Sequence, residues 1–251
     1  MIIEYQRPQT LQTALELLAR PTPKTIPLGG GTVISRGSHE NVAVVDLQAL
    51  KLDAITLAED SLVVGAAAAL QSLCDHPAVP DSLKEVIKLE TGANLRNMAT
   101  VAGSLVTGDG RSPLATALLA LDAHLIWEPG EEEISLENWL EQPQRAPSGK
   151  LITHLYIPRD AGLKYAGIGR TPKDRPILCV AFACWPSGRV RVAIGGCGNA
   201  PVLALDGTGG PAVEPAVMEA CSQIDDQWAS AAYRSAAARV LARRLSSNNL
   251  E

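Results

Sequence analysis

The chain has 251 residues, 46% of them hydrophobic and 20% charged, with a net charge of −5, which is enough for two or three compact units with cores of their own. An acidic balance without basic tracts argues against a nucleic-acid or anionic-membrane partner, and no apolar run approaches the roughly 20 residues that span a bilayer. The start, MIIEYQRPQT, has no basic region followed by an apolar core, so no secretion signal is read there and a cytoplasmic location is expected. In chain order, RPQTLQTALELLAR is expected as a helix with Thr10 as N-cap and Leu11, Ala14, Leu15 and Leu18 on one face. KTIPLGGG reads as a short strand entering a glycine loop, and NVAVVDL and SLVVGAAAAL as two more strands, the last passing into a helix through LQSLCDH. PDSLKEVIKLETGANLRN has helical spacing through Leu83, Val86, Ile87 and Glu90, weakened by Gly92. MATVAGSLVTGDGRSP is read as a second small-residue loop, followed by an apolar helix LATALLALDAHL and a strand AHLIWE.

After an acidic, turn-rich stretch and the strand KLITHLYIP, residues 158–162 form the expected domain boundary. The last third contains a hairpin, ILCVAFACW and RVRVAIGGCG joined by PSG. Two helices follow, EPAVMEACSQI and ASAAYRSAAARVLARRL. Arg239, Arg243 and Arg244 on the last are expected to be solvated or ion-paired. Strands alternating with helices indicate an α/β or α+β chain.

Cys74, Cys179, Cys184, Cys197 and Cys221 are odd in number and form no CxxC pair, so all five are expected as reduced thiols that pack as small hydrophobes. His39, His76, His124 and His154 are isolated, and no metal site is expected. The chemistry therefore falls to the small-residue segments. Gly29-Gly30-Gly31-Thr32, followed by Val33, has no lysine of a GxxxxGK[ST] loop and no GxGxxG spacing. Consecutive backbone amides can still form a nest for an oxyanion, and a plain tight turn is the alternative. Thr100, Gly103, Ser104 and Thr107, with Gly108 and Gly110, offer the same chemistry about seventy residues on. Two such segments could converge on one elongated diphosphate.

The ordered motifs RP.TL..AL.LLA, LGGGT, VVDLQAL, LVVGAAAAL, LRNMATVAGSL and LATALLALDA resemble the FAD-binding medium subunit of molybdenum hydroxylases. That family includes xanthine dehydrogenase, carbon monoxide dehydrogenase and aldehyde or nicotinate-type oxidoreductases. KYAGIGRTPKDRPILCVAFA, RVAIGGCGNAPV and AAYRSAAARVLARRL extend the resemblance through the last third. It implies an α+β fold: a two-part, PCMH-like FAD-binding domain over 1–158, with subdomains of about 1–57 and 58–158, then a smaller α+β domain over 162–251 with an antiparallel sheet. It also implies an electron-transfer subunit that carries FAD, with molybdopterin in a large partner subunit and iron–sulfur clusters in a small one, and with NAD+ or another molecule as acceptor. No catalytic acid, base or nucleophile is expected, since the redox chemistry belongs to the cofactor. Alternatives are a scaffold subunit that has lost FAD and an independent flavoenzyme.

The residues this carries over as FAD contacts are Gly29, Gly30, Gly31, Thr32, Val33, Asn97, Thr100, Ala102, Gly103, Ser104 and Asp109. Three positions depart from the family pattern: Ala102 stands for a glycine, Ser104 for an asparagine, and Pro113 for an aspartate ahead of the apolar helix. Tyr165, Arg170 and Asp174 fall in a recurring family stretch, either as an interdomain contact or near the flavin. Trp127, Trp139, Trp185 and Trp228 are expected in cores or subunit contacts.

Overall fold

The structure, a computed structural model, describes residues 1–34, 40–142, 146–171, 174–208 and 210–247; His39 lies outside them. The first unit is built from β1 (Ile2–Gln6), α1 (Leu11–Ala19), β2 (Thr25–Leu28) and β3 (Val42–Asp46). Its strands form a parallel sheet in the order β1-β3-β2. The central β3, VAVVD, is buried along its whole length, as a β-branched run covered on both faces should be. Thr10 caps α1 by accepting from the Thr13 amide, and Ala14 and Leu18 bury the face that the spacing predicts.

The chain then enters a second unit: β4 (Ile55–Leu57), β5 (Ser61–Gly65), α2 (Leu70–Asp75), α3 (Asp81–Glu90), α4 (Ala93–Arg96), α5 (Val101–Thr107), α6 (Pro113–Ala120), β6 (His124–Glu128), β7 (Glu132–Ser135), α7 (Leu136–Leu140) and β8 (Leu151–Pro158). The strands pair antiparallel in the order β4-β5-β8-β6-β7. Two readings change here. The predicted helix over 80–97 is two, because α3 stops at Glu90 and the chain restarts after Gly92. The segment read as a second loop is the helix α5, with the Thr100 hydroxyl capping it by accepting from the Gly103 amide.

The third unit is a four-stranded antiparallel sheet, β12-β11-β10-β9, made of β9 (Gly162–Ile168), β10 (Leu178–Cys184), β11 (Val190–Gly195) and β12 (Val202–Gly207). Two helices pack on it, α8 (Val213–Ala220) and α9 (Ala231–Ser247). Its two faces differ in size. Leu178, Val180, Phe182, Val190, Val192 and Ile194 join the core beneath α8 and α9. Ala181, Ala183 and Ala193, which alternate with them, join the core of the second unit.

That small-residue face receives α6, every residue of which is buried. A helix apolar all round must be covered all round, and α6 packs on α3 at one side and on β9, β10, β11 and β12 at the other. Contact is closest at Gly195, where an added Cβ would lie 2.5 Å from the Thr116 hydroxyl and 2.6 Å from the Cys179 sulfur. Burial pushes the thiol of Cys179 up, so it packs as a neutral group. Cys197 and Cys221 correct the expectation of five reduced thiols: they are joined as a disulfide, with Cα atoms 5.3 Å apart, within the core of the third unit. Trp127 and Trp139 pack in the larger core with ring centres 6.5 Å apart and planes tilted by 45°.

An ion network closes the contact at the other end of α6. Arg191, 2% exposed, donates to Asp206 at 2.6 Å, Glu137 at 3.0 Å and the Leu119 carbonyl at 3.3 Å, and pairs with Asp122 at 3.2 Å. Arg189 holds Asp122 and Asp206 from the solvent side. Removing the buried cation leaves three carboxylates with only Arg189, on the solvent side of Asp122 and Asp206, to balance them. Arg191→Ala is therefore expected to cost about 3 kcal/mol of unfolding free energy, read by denaturant titration; a loss below about 0.5 kcal/mol, the scale of an ordinary surface change, would contradict this.

The Arg189 hydrogen bond holds the Asp206 carboxyl below its usual range. Its folded pKa lies under its unfolded one, so the unfolded chain takes the proton first as pH falls. The stabilisation is complete above about pH 4 and drains away below it. Asp206→Asn should flatten this acid limb in a series of melting temperatures against pH, and an unchanged limb would count against the network.

Candidate functional site

The glycine loop follows directly from β2, where the parallel ladder with β3 ends: the Leu47 amide donates to the Leu28 carbonyl, and beyond it the chain leaves the sheet. Gly31 has a φ of +70°, a conformation that L side chains rarely adopt. Gly30 lies on the segment ahead of α5, so close that an added Cβ would sit 1.5 Å from the Met98 carbonyl oxygen. At Gly29 the same atom would meet the Thr100 hydroxyl at 2.8 Å. The two segments singled out in the sequence are thus in direct contact.

They are not chemically alike. Among the described residues, the amides of Gly29, Gly30, Gly31 and Thr32 donate to no other group of the chain. At α5, by contrast, Val101 donates to Ala68, Ala102 to Ala66, Gly103 to the Thr100 hydroxyl and Ser104 to the Thr100 carbonyl. The backbone amides expected from this second segment are already used. It offers side chains instead, and the Thr107 hydroxyl turns back to the Gly103 carbonyl.

Clefts open on both sides of the glycine loop. One, of about 440 Å³, is lined by Arg7, Gly29, Gly30, Gln48, Leu52, Asp53, Asn97, Met98 and Thr100, among others. The other, of about 350 Å³, is lined by Thr32, Val33, Glu90, Leu95, Ser104, Thr107, Asp109 and Arg175. A narrower, mostly apolar space of about 110 Å³ lies between Gly29, Thr100, Ala102, Gly103, Val106 and Trp127. The eleven predicted residues are therefore brought together around the loop, except that Gly31 lines none of the three spaces. Asn97 faces the first cleft with its amide donating to the Ala93 carbonyl. Ala102 is buried and its methyl packs into the main core.

Arg7, Asp53, Glu90 and Arg175 were not among the predicted residues. Glu90 carried a signal, being a carboxylate at an apolar-face position of its helix. It is 5% exposed and accepts from the Ser112 hydroxyl at 2.8 Å and the Leu114 amide at 3.0 Å. Burial pushes its carboxyl up while these two donors hold it down. Pro113 occupies the first position of α6, where a missing N–H costs nothing. The carboxylate at that helix end thus comes from Glu90 in α3, and not from residue 113. Arg175 arrives from the third unit, pairing with Asp109 at 3.1 Å and Glu90 at 3.4 Å.

The segment carrying Arg175 is held from the second unit. Arg111 donates to the carbonyls of Arg175 at 2.6 Å and Pro176 at 2.8 Å. Its guanidinium and that of Arg170 lie 4.3 and 4.9 Å from the ring centre of Trp228. Asp174 accepts from the Thr171 amide, and the Tyr165 phenol is pushed up by burial. Among the described residues, no group of three or more His, Cys, Asp or Glu side chains is arranged to hold a metal, and no helix is long and apolar enough to cross a membrane.

The chain is 28% identical over 242 residues to the uncharacterised protein YgfM of Escherichia coli K12, covering 93% of this chain and 91% of that one. Over 129 residues it is 34% identical to the putative xanthine dehydrogenase FAD-binding subunit XdhB of the same organism, covering 48% of this chain and 44% of the other. A chain of the carbon monoxide dehydrogenase from Hydrogenophaga pseudoflava superposes with a TM-score of 0.83 at 19% identity, over 97% of this chain and 96% of that one, and so shares the fold. Residues 1–160 match the family described as FAD binding domain in molybdopterin dehydrogenase. The chain belongs to that family: it is a FAD-binding subunit of the molybdenum hydroxylase type, an oxidoreductase component with FAD as its cofactor.

Proposed function

We propose that this chain receives electrons from the iron–sulfur clusters of a small partner subunit and delivers them through FAD to NAD+ or another acceptor, while a large molybdopterin subunit handles the substrate. The observation that carries this reading is the run of four amides, Gly29 to Thr32, that have no partner among the described residues and lie at the junction of two clefts. A dinucleotide has an anionic centre and two flat ends. The amides suit the diphosphate without a lysine, and the absence of Cβ atoms at Gly29 and Gly30 keeps the loop seated on Met98 and Thr100. The residues present therefore fit FAD.

In this reading the cleft beside Arg7 and Asn97 takes the adenosine end, and the cleft beside Ser104, Asp109 and Arg175 takes the flavin end. The bound cofactor supplies the redox chemistry, and the chain supplies position and charge. Val33 and Leu95 give the flavin-side cleft apolar walls, while Thr32 and Ser104 offer hydroxyls. We place the subunit in the cytoplasm. The Cys197–Cys221 bond is compatible with that because both residues are buried, away from soluble reductants.

Titration of apo-protein with FAD, followed by flavin fluorescence, should show one saturable site per chain. Gly30→Ala pushes a methyl onto the Met98 carbonyl and should weaken binding on the order of 100-fold, about 2.8 kcal/mol. Gly92→Ala, whose methyl meets nothing within 4 Å, should bind as the parent does. A folded chain with no saturable FAD binding would instead support the scaffold reading.

A further inference from the structure

Among the described residues, Arg175 is the cation on the wall of the flavin-side cleft. Its side chain is 41% exposed and belongs to the third unit, whereas both its partners, Glu90 and Asp109, belong to the second. Its position is over-determined. The Arg111 guanidinium holds the carbonyls of residues 175 and 176, and Arg111 is itself packed on Trp228. Glu90 is fixed by Ser112 and Leu114 at the start of α6, and Asp109 also accepts from the Arg111 amide at 2.9 Å. A surface ion pair would not need such support, and it would contribute little to stability.

We propose that Arg175 is a redox-tuning residue, which faces the flavin ring across this cleft and stabilises the negative charge that the ring gains on reduction. The inference rests on the FAD reading above. Two one-electron transfers from an iron–sulfur donor, with uptake of one proton, leave the flavin one unit more negative. Without Arg175 this wall would keep the Asp109 carboxylate and the buried Glu90 carboxyl but lose the cation that pairs with both, and reduction would add a negative charge beside them. At the protein surface such charges interact more strongly than in bulk water. Arg175 is thus a positioning and electrostatic residue, and not a proton donor.

The test is the midpoint potential of FAD bound to the full chain, measured against a reference dye during stepwise dithionite reduction, after FAD stoichiometry has been established for each variant. Arg175→Gln should lower the equilibrium constant for two-electron reduction about tenfold, equivalent to about 30 mV, and Arg175→Lys should restore most of that loss. Asp109→Asn removes a carboxylate and should move the potential in the opposite direction, which keeps the test available if Arg175→Gln does not fold. Potentials that do not differ between the parent and either Arg175→Gln or Asp109→Asn, each with FAD fully bound, would overturn the proposal. Failure of the parent to bind FAD would show at the stoichiometry step. It would overturn the FAD reading itself, and this inference with it.

Discussion

The burial of α6 on every side is the constraint on which the rest of the structure depends. Eight residues, Pro113 to Ala120, lie between α3 and the sheet of the third unit, and none of them reaches solvent. Such a helix is unstable alone and needs two covering surfaces. The second unit supplies one and the third unit the other, so the larger core runs across the boundary between them and includes Ala181, Ala183 and Ala193. The helix ends are tied as well, with Glu90 and Ser112 at the start and Arg191 on the Leu119 carbonyl near the end. The site inherits its geometry from this packing. Glu90 is both the partner of α6 and part of the cleft wall, and the third unit, held on α6, brings Arg175 to the same wall.

The candidate site is asymmetric for a physical reason. β2 ends at Leu28 with its ladder exhausted, so the next four amides have no strand to bond to. The segment after Thr100 starts a helix instead, and its first amides are taken up by Ala66, Ala68 and Thr100. Small residues serve different ends in the two places. Gly30 allows backbone to lie on backbone and Gly29 leaves room for the Thr100 side chain, whereas Gly103 makes room for the Thr100 hydroxyl that caps α5 and Ala102 packs into the main core. The methyl of Ala102 also lines the narrow space beside the glycine loop.

Much of this was legible in the sequence. The Thr10 cap, the Leu/Ala stripe of α1, the β10–β11 hairpin and the glycine loop follow from short-range rules, and the ordered motifs gave the family. What escaped was set by tertiary contact. A stretch rich in Gly, Ser and Thr, such as α5, reads as a loop until the carbonyls after β5 that accept its amides are known. The Cys197–Cys221 pairing depends on a loop after β11 meeting the end of α8, and 24 residues of separation carry no spacing rule for it. Arg175 and Asp109 are 66 positions apart and could be paired only through the fold. Glu90 was the readable exception, because a carboxylate on an apolar helix face needs buried donors.

The central claim, a diphosphate held on the free amides of the glycine loop, is tested most directly by residue-resolved amide hydrogen exchange with and without FAD. The account predicts that Gly29, Gly30, Gly31 and Thr32 gain protection on binding, while Val101, Ala102, Gly103 and Ser104, already bonded within the chain, change little. Protection that appears at residues 101–104 and leaves residues 29–32 unaffected would contradict it.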